Sequence, residues 1–348
     1  MSSAATNFTR PGRPTVSIIV PAFRAAEHIA RAIDSVIAQT YRDWELIVVN
    51  DGGNDGTAAV VERYKDQLGD RLIYLEQGHS GCCVARNTGI EAARGRFLAF
   101  LDADDEYRPD KLERQMSLFG LRPDLGLVFC DFSYIDLAGH FVGSVFDTKS
   151  RIVRQIPCDT VAPRMLVCPP NLFDYLLRAY FIATIVGVVR RDVLADDVRF
   201  LPFNLYNAEW MFYLEIVRRA RAGYVDEPLC LHHWVGGSAS RTSSTRNVIY
   251  QWRLLKAMRE RFADASPAAR AEIQRQLADT CRQLGMASYK EAEYGPAMHY
   301  FVEALARRWD ARTAVHLVQS LLRWVLVLGR PGREPLLRFD PTKTSLSM

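Results

Sequence analysis

Acidic residues cluster directly after one strongly apolar run of the sequence. The run RFLAFL at 96–101 leads into Asp102-Ala103-Asp104, which opens the acidic loop DADDE. In an extended segment, residues two apart point to the same face, so the carboxylates of Asp102 and Asp104 can converge. Such oxygens suit a hard cation, Mg2+ or Mn2+, that also binds a diphosphate. An isolated Asp-x-Asp sequence is commonly an exposed surface feature without a function. The position of this one directly after a predicted strand favours a cation site.

Three other polar residues follow apolar runs or enter a predicted helix. Asp51 comes after the run ELIVV at 45–49, and Arg86 and Asn87 come after the Gly-containing loop 77–81. Helix N-termini and arginines bind phosphate and ribose oxygens. The ordinary alternatives are a turn or helix-cap aspartate and a surface salt bridge. Because Asp51 lies at the same predicted sheet edge as the acidic pair, a base- or ribose-binding role is favoured.

Short apolar runs alternate with helical patterns over the first hundred residues. Strands are predicted at 16–20, 45–49, 71–75 and 96–101, and helices at 27–38, 57–64 and 83–93. This alternation predicts an α/β fold with a mainly parallel sheet and helices on both faces. Ligands of such sheets bind at the carboxyl ends of the strands, where the candidate aspartates lie.

The later part of the chain changes character twice. Strands are predicted at 125–132, 183–190 and 228–234, and an amphipathic helix at 209–219. Beyond about residue 241 the pattern is helical, with a tetratricopeptide-like hairpin at 279–309 whose turn contains Gly295-Pro296. We therefore expect a flexible tail at 1–13, an α/β domain at 14–240, a helical region at 241–330 and a tail at 331–348.

Composition excludes several classes of protein. The 348 residues are 49% hydrophobic and 24% charged, which excludes global disorder. The net charge of +4 is spread along the chain, so no nucleic-acid surface is indicated. The N-terminal segment lacks the apolar core of a signal peptide, and polar residues interrupt the stretch 315–328. The seven cysteines show no metal-site spacing, and we interpret them as reduced thiols of a cytoplasmic protein.

Four segments together resemble the family-2 glycosyltransferases, whose nucleotide-binding fold is called GT-A. They are VSIIVPAF at 16–23, ELIVVNDGGNDGT at 45–57, ARNTGIEAARGRFLAFLDADDEYRPDKLERQ at 85–115 and AEWMFYLEI at 208–216. The resemblance covers about residues 14–240, and the block at 85–115 is the most specific part.

The resemblance implies roles for individual residues. Pro21 and Phe23 would line the nucleotide pocket, and Asp51 would hydrogen-bond a base, with uracil the expected one. Arg86 would lie near the nucleotide. The donor site would include Asp102, Ala103 and Asp104, in which Asp102 approaches the ribose or the metal and Asp104 binds the Mn2+ or Mg2+ that bridges the diphosphate.

The chain also departs from the family pattern. Arg24 replaces a usual Asn and Gly53 a usual Ser. Ala208-Glu209 stands where the family commonly has Glu-Asp, so Glu209 takes the position of the catalytic base. An arginine or histidine near the diphosphate is expected after the last strand. The register leaves His232 and His233 both as candidates, and either could instead simply pack beside Trp234; His233 is taken as the third metal ligand.

The function implied is inverting transfer of a hexose-type sugar from a UDP-sugar to an acceptor hydroxyl, in surface polysaccharide or glycan biosynthesis. Glycans, lipid-linked sugars and proteins are all candidate acceptors. The C-terminal helices are a candidate peripheral contact with the inner face of the cell membrane. Two alternatives remain: a nucleotidyltransferase, although the loop PAFRAAEH lacks the expected glycines, and a non-catalytic sugar-nucleotide binder with a helical interaction tail.

Overall fold

The computed structural model of the chain describes residues 13–148, 150–202, 207–234 and 245–328. Contacts divide the chain into two compact units, one up to residue 241 and one from residue 242. Among the described residues, the first unit contains all the strands and the second contains helices alone.

One mixed sheet forms the centre of the first unit. Its strands are β1 Val16–Ala22, β2 Trp44–Asn50, β3 Leu72–Glu76, β4 Phe97–Phe100, β5 Glu106–Tyr107, β6 Leu125–Ile135, β7 Phe141–Ser144, β8 Asp159–Ala162, β9 Met165–Val167, β10 Val188–Arg190 and β11 Arg221–His233. Their order is β3-β2-β1-β4-β10-β6-β11-β9-β8, with β5 on β11 and β7 on β6. The pairs among β1 to β4 are parallel, as is β6 with β11, whereas β10 runs antiparallel between β4 and β6.

Parallel register brings the carboxyl ends of the first strands to one edge of the sheet. β1 pairs with β2 so that Ala22 lies opposite Asn50, and β4 runs alongside β1 in the same direction. Every residue of these three strands is buried, which explains their continuous apolar runs. Phe23, Asp51 and Asp102 therefore leave the sheet at the same edge.

Helices cover the sheet and build the second unit. They are α1 Ile29–Ile37, α2 Thr57–Glu62, α3 Lys65–Leu68, α4 Cys82–Ala92, α5 Lys111–Leu121, α6 Val145–Thr148, α7 Leu172–Arg178, α8 Ala208–Arg219, α9 Thr245–Arg261, α10 Pro267–Lys290, α11 Tyr294–Arg307 and α12 Ala311–Leu328. The predicted α/β fold with a helical C-terminal region is confirmed.

The predicted strand at 183–190 is wrong in its first half. Thr184–Val186 form a short 3-10 helix, and only Val188–Arg190 form β10. The Tyr213 hydroxyl donates to the Thr184 carbonyl oxygen at 3.0 Å, and a Cβ at Gly187 would lie 2.4 Å from that hydroxyl oxygen. Contact with α8 thus interrupts the strand. The strand predicted at 228–234 instead begins at Arg221, because β11 continues through register irregularities near position 228.

The helices of the second unit pack in sequence order. α10 contacts both α9 and α11, and α11 contacts α12. The predicted hairpin at 279–309 is present, but Gly295-Pro296 lies inside the first turn of α11 rather than in the connection. Proline is tolerated there because the first-turn N–H groups have no helical partner. Among the described helices, none is both long and apolar enough to span a membrane.

Candidate active site

The Asp51 carboxylate anchors the loop that leads into α4. Its Oδ1 accepts hydrogen bonds from the Gln77 side chain (2.7 Å) and the Ser80 N–H (2.9 Å), and its Oδ2 accepts from the Gly81 N–H (2.8 Å). His79 Nδ1 lies 2.9 Å from Oδ2. Asp51 is 2% exposed. A carboxylate has about four acceptor positions, so the three N–H donors leave one position on Asp51, which the His79 ring covers in this structure.

His79 is a site residue that the sequence reasoning missed. Its ring stacks on Phe23 with centroids 4.0 Å apart and planes 21° apart. The Arg24 guanidinium lies 5.2 Å from the centroid of the same Phe23 ring, which is 41% exposed. A base that stacks on Phe23 and hydrogen-bonds Asp51 would therefore meet the His79 imidazole. The one feature of the sequence that could have indicated His79 is its place directly after Gly78, in the loop that leads into α4.

Arg86 joins α4 to the acidic loop. Its Nη2 lies 2.6 Å from Asp102 Oδ1, and its guanidinium lies 5.3 Å from the Phe200 ring centroid. Burial alone would lower the pKa of Arg86, but Asp102, together with Cys82 and Glu209, raises it well above the usual value. This arginine is thus a fixed, permanently charged group beside the acidic pair. Its neighbour Asn87 instead exchanges two hydrogen bonds with the Phe200 backbone, which is a structural role.

The two candidate metal-binding aspartates flank the buried Ala103. Burial and the Asp102 charge raise the pKa of Asp104. A nearby cation would relieve that repulsion, because a positive charge favours ionised carboxylates. Two carboxylates and substrate phosphates are also a donor set that Mg2+ commonly uses. These residues therefore fit a divalent ion held jointly with a diphosphate, although no described group of three or more acidic, His or Cys side chains is placed to hold an ion alone.

The end of β11 contacts the acidic loop through two histidines. Asp105 is fully buried, and its carboxylate lies 3.0 Å from His232 Nδ1 and accepts the His233 N–H at 3.0 Å. Burial raises the pKa of Asp105 above its usual range. Although burial alone would lower the pKa of His232, the Asp105 charge raises it. His233 Nε2 lies 2.6 Å from Glu106. In this structure the His233 ring therefore contacts a carboxylate beside the acidic pair, and its assignment as a metal ligand stays a prediction.

Glu209 lies in the first turn of α8. Trp210 fixes this turn, since its indole Nε1 donates to the Leu176 carbonyl oxygen of α7 at 2.7 Å. The Tyr180 hydroxyl donates a hydrogen bond to Glu209 Oε1. Ala208 is 2% exposed and carries no acidic group. Glu209 is therefore the acidic residue of the first turn of α8. The charge of Glu209 acts on the pKa of Arg86, which also contacts Asp102. The charges of Glu209 and Asp102 thus both interact with the Arg86 guanidinium.

Residues 17–138 match the family model for glycosyl transferase family 2. An uncharacterized glycosyltransferase of Rickettsia prowazekii is 38% identical over 47% of this chain and 55% of its own length. The UDP-Glc:alpha-D-GlcNAc-diphosphoundecaprenol beta-1,3-glucosyltransferase WfgD of Escherichia coli is 34% identical over 46% of this chain and 64% of its own length. The matches thus span about half to two thirds of these relatives.

Solved structures share the fold over most of the chain. TarS 1-349 of S. aureus in complex with UDP is 17% identical, with a TM-score of 0.61 and 94% of each chain covered. The mannosyltransferase PcManGT of Pyrobaculum calidifontis, in complex with GDP-Man and Mn2+, is 18% identical, with a TM-score of 0.52, covering 92% of this chain and 82% of that one. The sheet order and the solved structures agree on the GT-A fold, and residues 17–138 of the chain belong to glycosyl transferase family 2.

Proposed function

We propose that the protein transfers a sugar from a UDP-sugar to an acceptor hydroxyl, with inversion and with help from a divalent metal ion. The observation that carries this proposal is the position of the Arg86 guanidinium. It contacts Asp102, and the Glu209 charge contributes to its raised pKa. These interactions support a single site that combines the proposed donor-binding acids at the end of β4 with the candidate base on α8.

Each residue has a step in this transfer. Phe23 and Asp51 bind the base, and Arg86 holds Asp102 in place. Glu209 takes the proton of the acceptor hydroxyl as its oxygen attacks the anomeric carbon from the face opposite the leaving nucleotide. A carboxylate in the first turn of α8 is also favoured by the positive end of the helix.

Asp102 and Asp104 would hold Mn2+ or Mg2+ together with the donor diphosphate. When bound, this ion would offset the negative charge of the departing nucleoside diphosphate. WfgD is named as a UDP-Glc-using glucosyltransferase, which supports the proposed donor class. The PcManGT complex contains Mn2+, which supports the proposed metal.

We also propose a role in polysaccharide or lipid-linked glycan assembly by a cytoplasmic protein that contacts the membrane surface. The acceptor named for WfgD is a diphosphoundecaprenol-linked sugar, which supports this acceptor class. In α12, large apolar side chains such as Val318, Leu322 and Val325 are exposed, and the helix contains arginines but no acidic residue.

A nucleotide panel tests the donor class. With Mn2+ present, calorimetry is expected to show tighter binding of UDP than of CDP or GDP, because an Asp51 carboxylate can accept from the uracil N–H but faces an acceptor on the cytosine edge. Labelled UDP-hexoses are then screened for transfer to glycan and lipid-linked acceptors. Preference for CDP would contradict the base assignment, and UDP binding without any donor turnover would favour a non-catalytic binder.

A further inference from the structure

We propose that Tyr180 is a positioning residue for the base Glu209: its hydroxyl holds Glu209 Oε1 and leaves Oε2 to face the acceptor. This inference rests on the proposed transfer function. Tyr180 does not act on substrate in this account; it sets the orientation of the group that does.

The hydrogen bonds of the two side chains support this division of roles. The Tyr180 hydroxyl donates to Glu209 Oε1 and makes no other hydrogen bond to the residues that the structure describes. Within the same residues, Glu209 Oε2 has no hydrogen-bond partner and is not among the buried unpaired atoms. One oxygen of the carboxylate is therefore held and the other remains accessible.

Packing fixes Tyr180 relative to α8. Tyr180 follows α7, and the hydrogen bond from Trp210 to Leu176 ties α7 to the first turn of α8. The Tyr180 and Trp210 ring centroids are 6.2 Å apart, and the next residue, Phe181, is 2% exposed. The hydroxyl thus reaches Glu209 from a rigid support.

The chemistry of the pair makes the phenol a donor and excludes it as the base. Burial and the Glu209 charge raise the pKa of Tyr180 well above its usual value, so the hydroxyl keeps its proton. A hydrogen bond to a carboxylate is shorter and stronger than one between neutral groups. The alternative is that the Tyr180 hydrogen bond has only a structural role. Tyr213 is an example of that role, because its hydroxyl donates to the Thr184 carbonyl oxygen.

A double-mutant cycle on the full chain separates the two readings. Tyr180→Phe is expected to lower kcat by about tenfold or more, as loss of a hydrogen bond to a charged group implies, with donor KM changed less than about twofold. In a Glu209→Gln background, the same change is expected to alter kcat by less than about twofold, because its effect acts through the carboxylate. Tyr213→Phe is the matched control and should leave kcat near the wild-type value while lowering the melting temperature.

Three outcomes overturn the proposal. Wild-type kcat in Tyr180→Phe would show that the hydrogen bond is not used. An equal loss in the wild-type and Glu209→Gln backgrounds would show a structural effect on the fold. If Glu209→Gln itself transfers sugar at the wild-type rate, the assignment of the base fails and the positioning role fails with it, which distinguishes this result from the first two.

Discussion

At the scale of single residues, the candidate carboxylates fall into a buried group and a partly exposed group. Asp51 and Asp105 are buried carboxylates that accept hydrogen bonds from neighbouring loop or strand backbone, whereas Asp104 and Glu209 are partly exposed. Sequence reasoning identified Asp51, Asp104 and Glu209 because each follows a strand or begins a helix, but it gave Asp105 no role. It missed His79, because a contact between Phe23 and a loop residue more than fifty positions away leaves no trace in local spacing.

Asp51→Asn and His79→Ala are expected to change UDP affinity in different ways. Asp51→Asn replaces an acceptor by an amide donor that opposes the Gly81 N–H, so UDP binding should weaken about tenfold or more and the melting temperature should fall. His79→Ala frees one acceptor position on Asp51 and the face of Phe23, so calorimetry should show equal or tighter UDP binding. Comparable weakening in both variants would mean that His79 contacts the base directly.

At the scale of elements, the first four strands and their helices could be predicted because buried strands and amphipathic helices have distinct periodicities. The later elements were predicted only in part, because tertiary contacts decided some of their bounds. Tyr213 interrupts the predicted strand at 183–190, and Pro296 is accommodated within the first turn of α11. No local pattern indicates that Tyr180, which follows α7, reaches the first turn of α8.

The close packing of α4 on β1 gives a prediction for this scale. A Cβ at Gly89 would lie 2.3 Å from Ile19 Cγ2, so Gly89→Ala must displace either the Ile19 side chain or α4, which carries Arg86. We expect a loss of about 1–3 kcal/mol in the free energy of unfolding and weaker UDP binding. Gly295→Ala, where a Cβ meets nothing within 4 Å, is the control and should not destabilise. Wild-type stability of Gly89→Ala in chemical denaturation would contradict this packing.

At the scale of the whole molecule, the described candidate site residues all belong to the first unit, and α12 of the second unit exposes an apolar surface. Its exposed residues include Val315, Val318, Leu322, Val325 and Leu326, at the spacing of one helical face. Since α12 contains Arg312 and Arg323 and no acidic residue, an anionic lipid surface is complementary to it.

Liposome sedimentation tests this surface. The protein is expected to pellet with vesicles that contain anionic lipid and to do so less at high salt. Leu322→Glu should reduce pelleting severalfold, because it places a negative charge within the exposed apolar face. Val302→Glu on α11, where the side chain is also exposed, is the matched control and should pellet as the wild type does. Equal pelleting of both variants, or none by the wild type, would leave α12 with a packing role.

Turnover of a labelled UDP-sugar, measured with Mn2+ and with excess chelator, tests metal-assisted transfer at this site most directly. The wild-type protein should release UDP with Mn2+ and lose this activity in chelator, and Asp104→Asn should lose it in Mn2+ while its melting temperature stays near that of the wild type. The reason is that Asp102 and Asp104 are the carboxylates proposed to hold the ion that binds the donor diphosphate. Full turnover in excess chelator, or wild-type turnover by Asp104→Asn, would contradict the account.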